Sequence, residues 1–421
     1  MRKHFSAGVF LVLSVVCANV HGSVMLGAFV PGNGWKQENI YSLNDQLHKK
    51  LSFINLFSSF TEGWDQLYWQ TSKVNSAGMV PMITWMPIDQ TRKEVNILPE
   101  ITEGLWDDYL IEWCNRFKAW RNNYAQGSRP DILLRFGHEF NGNWYSYSDS
   151  PDAYKQAYRH IHKLFNEHGA NQFIEWVWSA NNLNIDTVND ITRYYPGDVF
   201  VDWTSIDGYN WGTNYSWTSW ESFTEVYANT YNTLVKNYPD KPILIAEYGS
   251  TEPTDVPDSE WGQDGDDSDV NENKDIWFLN MLVTLEEDFP AIRAIGLFNI
   301  NKELDWAITE TENTGLTGMN LGLTSDYFVS EYIAAPNNNE PDAEDPANQD
   351  DNSNRSTEPP IAYARDRTSA ESAEQLKLAH SRALPPVETD KVERARQGFL
   401  NMSAAGRAQL RELKLSVLDG Q

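Results

Sequence analysis

Residues 131–165 read DILLRFGHEFNGNWYSYSDSPDAYKQAYRHIHKLF: a short apolar run, a polar and aromatic stretch, then a helical pattern. The run DILLRFG has the length and apolar content of a buried strand. Ser150 and Pro151 offer a helix cap and a first-turn proline. Tyr154, Ala157, Tyr158, Ile161, Leu164 and Phe165 then recur at helical spacing, so the predicted helix packs back on its own strand. Between strand and helix stand His138, Glu139, Asn141 and Trp144, an ionisable pair ringed by flat, hydrogen-bonding side chains.

The same unit recurs along the chain. Apolar runs rich in β-formers begin at Val24 (VMLGAFV), Leu51 (LSFINLF), Met79 (MVPMITW), Asp131 (DILLRFG), Phe173 (FIEWVWS), Val201 (VDWTSIDGY), Ile243 (ILIAEY) and Arg293 (RAIGLFNI). Helical stretches alternate with them, including 217–238 and 270–289. Eight such units between residues 23 and 335 predict an α/β fold, a closed (β/α)8 TIM barrel.

The flanks differ in composition. Residues 1–22 have a basic start at Arg2 and Lys3, an apolar stretch from Ala7 to Ala18 and small residues after it, the pattern of a secretory signal. From Pro336 to about residue 360 the chain is rich in Asn, Asp, Glu and Pro, too polar to bury a core, and reads as a disordered acidic linker. Residues 361–421 read as a partly helical tail, with an amphipathic stretch around Val392–Leu418 carrying Phe399, Leu400, Leu410, Leu413 and Leu415; a docking segment is the alternative reading. Of two cysteines, Cys17 falls in the leader, leaving Cys114 and no internal disulfide.

A net charge of -27 excludes a mainly electrostatic grip on nucleic acid or anionic membrane. Aromatic residues make up 13% of the chain and often neighbour Asn, Asp and Gly, a mixture suited to flat polar ligands such as sugars.

In a parallel barrel the strand C-termini converge on one rim, so polar residues just after strands are the site candidates. Strand four delivers Arg135, His138, Glu139, Asn141 and Trp144 there, and strand seven delivers Glu247. Two carboxylates about 5 Å apart across a cleft equip a site for retaining glycoside hydrolysis. Trp85, Trp178, Tyr209, Trp211 and Trp306 also end strands, where they either pack the barrel top or stack on sugar rings.

Metal readings are poorly supported. Gly142 stands where H-E-x-x-H needs its second histidine. His160 and His162 lie two apart on a helix and point to different sides. The acidic loop Asp258–Asp275, read from Asp264, lacks the glycine and final glutamate of a calcium loop. No metal or cofactor is expected.

RFGHEFNGNWY, SIDGYNWG at Ser205–Gly212, IAEYGS at Ile245–Ser250 and NINKELDW at Asn299–Trp306 together resemble glycoside hydrolase family 26, in order over residues 24–335. The resemblance implies a retaining endo-β-glycanase, with β-1,4-mannan the family's default substrate and mixed-linkage β-glucan or β-1,3-xylan as alternatives. It implies Glu139 as acid/base, Glu247 as nucleophile, His138 as a residue positioning the acid, Tyr209 as a hydrogen-bond donor to the nucleophile, and Trp144 and Trp306 as sugar platforms. Arg135 is expected to support the nucleophile. Departures bear on substrate: ITWMPID offers Trp85, Pro87 and Asp89 where mannanases of the family commonly place a histidine, while Phe140 and Phe298 replace the usual methionine and tryptophan, which favours mixed-linkage β-1,3-1,4-glucan or an exopolysaccharide over mannan.

The expectation is a secreted, monomeric hydrolase of a neutral polysaccharide. A noncatalytic carbohydrate-binding or polysaccharide-assembly protein on the same barrel is the alternative from another class.

Overall fold

The computed structural model describes residues 22–124, 130–183, 190–215, 218–253, 273–309 and 315–336. The expected leader up to residue 21, the linker and tail beyond residue 336, and nearly all of the acidic loop Asp258–Asp275 lie outside the described residues.

All eight apolar runs form strands: β1 Val24–Phe29, β2 Phe53–Ser59, β3 Val80–Met86, β4 Ile132–Phe136, β5 Ile174–Asn181, β6 Trp203–Asn210, β7 Ile243–Ser250 and β8 Ile292–Phe298. They pair in parallel from β2 round to β8, β8 pairs with β1, and β1 returns to β2, which closes the barrel. Helices α1 Gln37–Gln46, α2 Trp64–Ser76, α3 Leu98–Thr102, α4 Asp107–Tyr124, α5 Pro151–Glu167, α6 Phe223–Asn237, α7 Lys274–Asp288 and α8 Leu316–Gly322 surround it.

The closing seam is short, joining only Gly27 to Phe53 and Ala28 to Ile54. Beside it a two-residue strand that the sequence reading did not include, β9 Phe328–Val329, pairs with Val24 and Met25 at the start of β1. Met25, Phe53, Met82, Leu133, Val177, Trp203 and Leu244 fill the lower barrel, and Tyr332 and Ile333 pack against them. Glu175 secures this stopper, accepting from Trp203 Nε1 at 2.7 Å, Tyr332 Oη at 2.9 Å and the Ala335 amide at 3.3 Å. With that end filled among the described residues, the cleft lies at the strand C-termini.

Much of the aromatic content packs the space between barrel and helices. Trp85 stacks on Phe60 at 4.5 Å and Trp113 at 4.9 Å, Trp113 stacks on Phe165, and Trp64 meets Trp113 and Trp120 edge-on. Each such side chain removes roughly 150–250 Å² from water, so these rings are a principal source of stability in the layer between the strands and α2, α4 and α5. The aromatic surplus is therefore in large part core, and only a minority of it reaches the rim. Among the described residues no helix is long and apolar enough to cross a membrane.

The helix after β4 begins at Pro151 and buries Tyr154, Ala157, Tyr158, Ile161 and Phe165 as its spacing requires. Ser150 occupies the capping position without a capping hydrogen bond; its hydroxyl accepts from Asn96 Nδ2 at 2.9 Å instead, tying the loop before α3 to α5. The two histidines of this helix diverge. His160 Nε2 meets Asp107 Oδ1 at 2.6 Å, whereas His162 packs against Trp176 and Phe200 with ring centroids 5.1 Å away in each case.

Burial among these rings pushes the His162 imidazole down to about 4. A depressed histidine contributes fully to stability above its unfolded value near 6.5, and that contribution is lost as pH falls from there toward 4, because the unfolded chain takes up the proton first. The loss is on the order of 3 kcal/mol. His162→Phe is expected to remove this part of the acid sensitivity, measured as the difference in urea-unfolding free energy between pH 7 and pH 4.5; equal pH dependence in both proteins would contradict it.

Candidate active site

Alternation along the strands decides which side chains enter the upper barrel. From β3, Thr84 points in and accepts from Arg135 Nη1 on β4 at 3.0 Å. From β5 and β6, Ser179 donates to Ser205 Oγ at 3.1 Å and to Asp207 Oδ2 at 3.3 Å. Tyr209 continues the inward series of Ser205 and Asp207 toward the rim.

Strand β7 breaks this rule at the decisive place. Ala246 belongs to the lower barrel core, and Glu247, the next residue, lines the cleft, so two consecutive side chains face inward. Tyr248 then turns outward against Phe278 of α7 and Met319 of α8. The cause is a β-bulge: Ile206 pairs with Ile245 but Asp207 with Glu247, and on the other edge the register also slips between Ile245 and Tyr248. A bulge adds one unpaired residue and re-aims the side chains after it. Gly296 of β8 makes room for it, since a Cβ there would lie 2.6 Å from the Ala246 carbonyl oxygen.

Glu247 is held from two sides. Arg135 Nη1 donates to its Oε1 at 2.7 Å and Tyr209 Oη donates to its Oε2 at 2.7 Å. The other arm of the guanidinium donates to Asp207 Oδ2. Arg135 is fully buried; burial works against its charge, but the Asp207 and Glu247 carboxylates outweigh that and hold its pKa above the ordinary arginine value. Burial, then the Glu247 charge, raises the Tyr209 phenol well above its usual range, so it stays a donor.

Glu139 sits on the loop after β4 in the left-handed backbone region, with φ of 51°, unusual for a non-glycine residue. The loop is fastened to both neighbouring strands: the Gly137 amide donates to Trp85 O at 3.0 Å and the Glu139 amide to Ser179 O at 2.9 Å. Its carboxylate accepts from Asn181 Nδ2 and from Trp144 Nε1, each at 2.8 Å. These donors are neutral, unlike the guanidinium at Glu247. Strained backbone held by surrounding structure is a feature of functional loops.

The two carboxylates line one cleft together with Phe57, His138, Tyr145, Tyr209, Trp211, Phe298, Lys302, Glu303 and Trp306. The His138 ring meets Tyr145 Oη at 3.1 Å through Nε2, which also stands 4.0 Å from Glu247 Oε1. Tyr147 donates to the His138 carbonyl at 2.8 Å. His138 thus reaches toward Glu247 through its side chain while its backbone precedes Glu139.

Of the side chains expected at the site, Glu139, Glu247, His138, Tyr209, Trp211 and Trp306 line the cleft, and Arg135 lies beneath it. Trp211 is half-buried, whereas Trp306 is almost fully buried, packed on Tyr209 at 4.8 Å and edge-on to Trp211 at 5.0 Å. Trp144 is engaged through its indole N–H with Glu139, its ring lying over Gly142. Three expectations are corrected. Trp85 and Trp178 alternate with the inward Thr84 and Ser179, so they face the helices; Trp178 stacks on Phe140 at 5.0 Å. Asn141 is also withdrawn from the cleft: it staples the β4 and β5 loops, donating to Asn181 O and Leu183 O at 3.0 Å each. Asp89 accepts from Thr91 and from Arg92 at 2.7 Å, bracing its own loop.

Asp207, Asn181, Tyr145, Phe57, Lys302 and Glu303 were not singled out in the sequence. Counting by twos from Ser205 reaches Asp207 and Tyr209, a signal that identifies the aspartate. Asn181 follows Ser179 in the same way, one step past the predicted end of its strand.

A barrel whose rim carries this carboxylate pair defines a class of sugar-cleaving proteins, and comparison places the chain within it. The model of glycosyl hydrolase family 26 matches residues 65–278, half of the chain, and the protein belongs to that family. Endoglucanase H of Acetivibrio thermocellus is 28% identical over 356 residues, spanning 80% of this chain and 36% of that protein. Mannan endo-1,4-beta-mannosidase A and B of Caldalkalibacillus mannanilyticus is 28% identical over 180 residues, 40% of this chain and 30% of that protein. The chain thus spans about a third of the length of these relatives. The fold is shared with the catalytic domain of the Bacillus sp. JAMB-750 endo-beta-1,4-mannanase, with a TM-score of 0.53 at 16% identity over 73% of this chain and 87% of that one. GH26C from Muricauda sp. gives a TM-score of 0.51 at the same identity and coverage.

Two substitutions test the support of Glu247. Arg135→Met leaves Asp207 and Glu247 buried without their shared cation and is expected to lower the unfolding free energy by about 3–5 kcal/mol. Gly296→Ala drives a methyl into the bulge and is expected to cost about 1–3 kcal/mol. Chemical denaturation measures both, and a near-neutral Gly296→Ala would mean the bulge is not tightly packed.

Proposed function

We propose that the protein is a secreted, retaining endo-β-glycanase that cuts neutral β-linked polysaccharide by double displacement. The observation that carries this reading is the contrast between two carboxylates of one cleft: Glu247 faces a guanidinium and a phenol donor, and Glu139 faces neutral donors. The guanidinium and phenol fix both oxygens of Glu247 in the orientation a nucleophile needs, and Glu139 faces it across the same cleft as the second carboxyl group of a double displacement.

In the first step Glu247 attacks the anomeric carbon while Glu139 gives its proton to the departing glycosidic oxygen, so the C–O bond breaks as the glycosyl ester forms. In the second, Glu139 takes a proton from water, the hydroxide oxygen attacks the same carbon, and Glu247 leaves as carboxylate. Two inversions return the original configuration. Trp211, half-buried in the cleft wall beside this pair, is the aromatic that suits sugar stacking.

For the substrate, mixed-linkage β-glucan stands first and β-1,4-mannan second. The match to a protein named endoglucanase runs over most of the chain, that to the named mannosidase over less than half. The leader read at residues 1–22 supports export. The charge of -27 argues against strongly acidic polymers.

Reducing-end assays on lichenan, mannan, galactomannan, curdlan, β-1,3-xylan and cellulose test this. Activity is expected on lichenan first. Glu247→Ala is expected to abolish it, and Glu139→Gln to lower kcat by about 10²–10⁴-fold, with a smaller loss on aryl glycosides whose leaving group needs no proton. Proton NMR of the first product should show the β-anomer. Hydrolysis of none of these polymers would favour the noncatalytic carbohydrate-binding reading, and activity surviving Glu247→Ala would overturn the mechanism.

A further inference from the structure

Lys274 is the first residue of α7, and its side chain is fully buried. Both facts are unfavourable for a cation. The N-terminal end of a helix carries partial positive charge, and burial penalises the ammonium, lowering its pKa. The helix does not need this residue for capping, because Asn273 Oδ1 already accepts from the Ile276 amide at 2.9 Å. A neutral side chain here would serve the helix better.

The ammonium is used elsewhere. Lys274 Nζ donates to the carbonyls of Asp305 and, at 2.8 Å, Ala307, the two residues that bracket Trp306, and lies 3.6 Å from the Asp305 carboxylate. Asp305 in turn accepts from Thr251 Oγ1 and from the Glu252 amide, just beyond the end of β7, and the Lys274 amide donates to Glu252 Oε2 at 3.0 Å. The loop after β8 is thereby fastened at both sides of one tryptophan. That tryptophan packs on Tyr209, whose hydroxyl donates to Glu247.

We infer that Lys274 is a positioning residue for the reaction, clamping the backbone on either side of Trp306 so that this ring braces Tyr209 against Glu247 and backs the Trp211 wall of the cleft. The inference rests on the hydrolase reading given above. Lys274 touches neither substrate nor the reacting carboxylates; it works through Trp306.

The test is a double-mutant cycle on the full chain, with Lys274→Met, Trp306→Ala and both together assayed on the polysaccharide that the wild type cleaves best, well below the melting temperature of each. Lys274→Met is expected to lower kcat/KM about ten-fold in the wild type, a substantial but partial loss of transition-state stabilisation. In the Trp306→Ala background the same change should alter it less than about two-fold, because the clamp then has nothing to hold. If the methionine variant does not fold, Lys274→Gln, which keeps a donor for one carbonyl, carries the same comparison. An unchanged kcat/KM with a lowered melting temperature would make Lys274 structural only and overturn the inference, as would losses that multiply independently. Absence of hydrolysis by the wild type would instead remove the functional reading on which it rests.

Discussion

A guanidinium with no access to water, spanning the barrel from β4 toward β6 and β7, is the constraint around which the upper half of this protein is arranged. Arg135 meets Asp207 with one arm and Glu247 with the other. Separating these charges inside the barrel would leave any one of them without compensation, at several kcal/mol, so their relative positions are fixed by the same energy that keeps them buried. Thr84 and Ser179 take up neighbouring hydrogen-bonding positions. What reaches the cleft is consequently a carboxylate whose oxygens are oriented before any substrate arrives, the condition for preorganised chemistry.

That arrangement demands a departure from regular strand geometry. A strictly alternating β7 would send either Ala246 or Glu247 inward, and the molecule requires both: the alanine to complete the apolar lower barrel and the glutamate to meet Arg135. One extra residue reconciles the two needs, and the missing side chain at Gly296 gives it room. On the opposite side, Glu139 is brought into place by backbone in the left-handed region, docked through amides onto β3 and β5. Both carboxylates of the cleft thus depend on irregular backbone supported by regular neighbours.

The barrel was readable from eight apolar runs because buried parallel strands are continuous in hydrophobicity, and the carboxylates were readable because they end such runs. What was less readable was direction. Trp85 and Trp178 end strands as Tyr209 does, yet one residue of phase sends them to the helices. Composition does not encode phase; counting by twos from Thr84 or Ser179 does. The bulge left no trace in composition, since its extra residue is an ordinary alanine within an apolar run. Asn141 was misplaced for another reason: an amide beside a rim glutamate is equally suited to bind a ligand or to staple two loops, and only the position of the β5 loop decides. Two-residue β9 carries too little pattern to be seen at all.

The stopper at the base of the barrel has a consequence for how the cleft meets its surroundings. Residue 24, where β1 begins, and residues 328–335, which cross the base and bind Glu175, occupy the same end of the barrel, remote from Glu139 and Glu247. Chain entering before β1 and chain leaving after Ala335 therefore join the barrel at its closed pole. Neither end of the described chain crosses the rim where Glu139 and Glu247 stand.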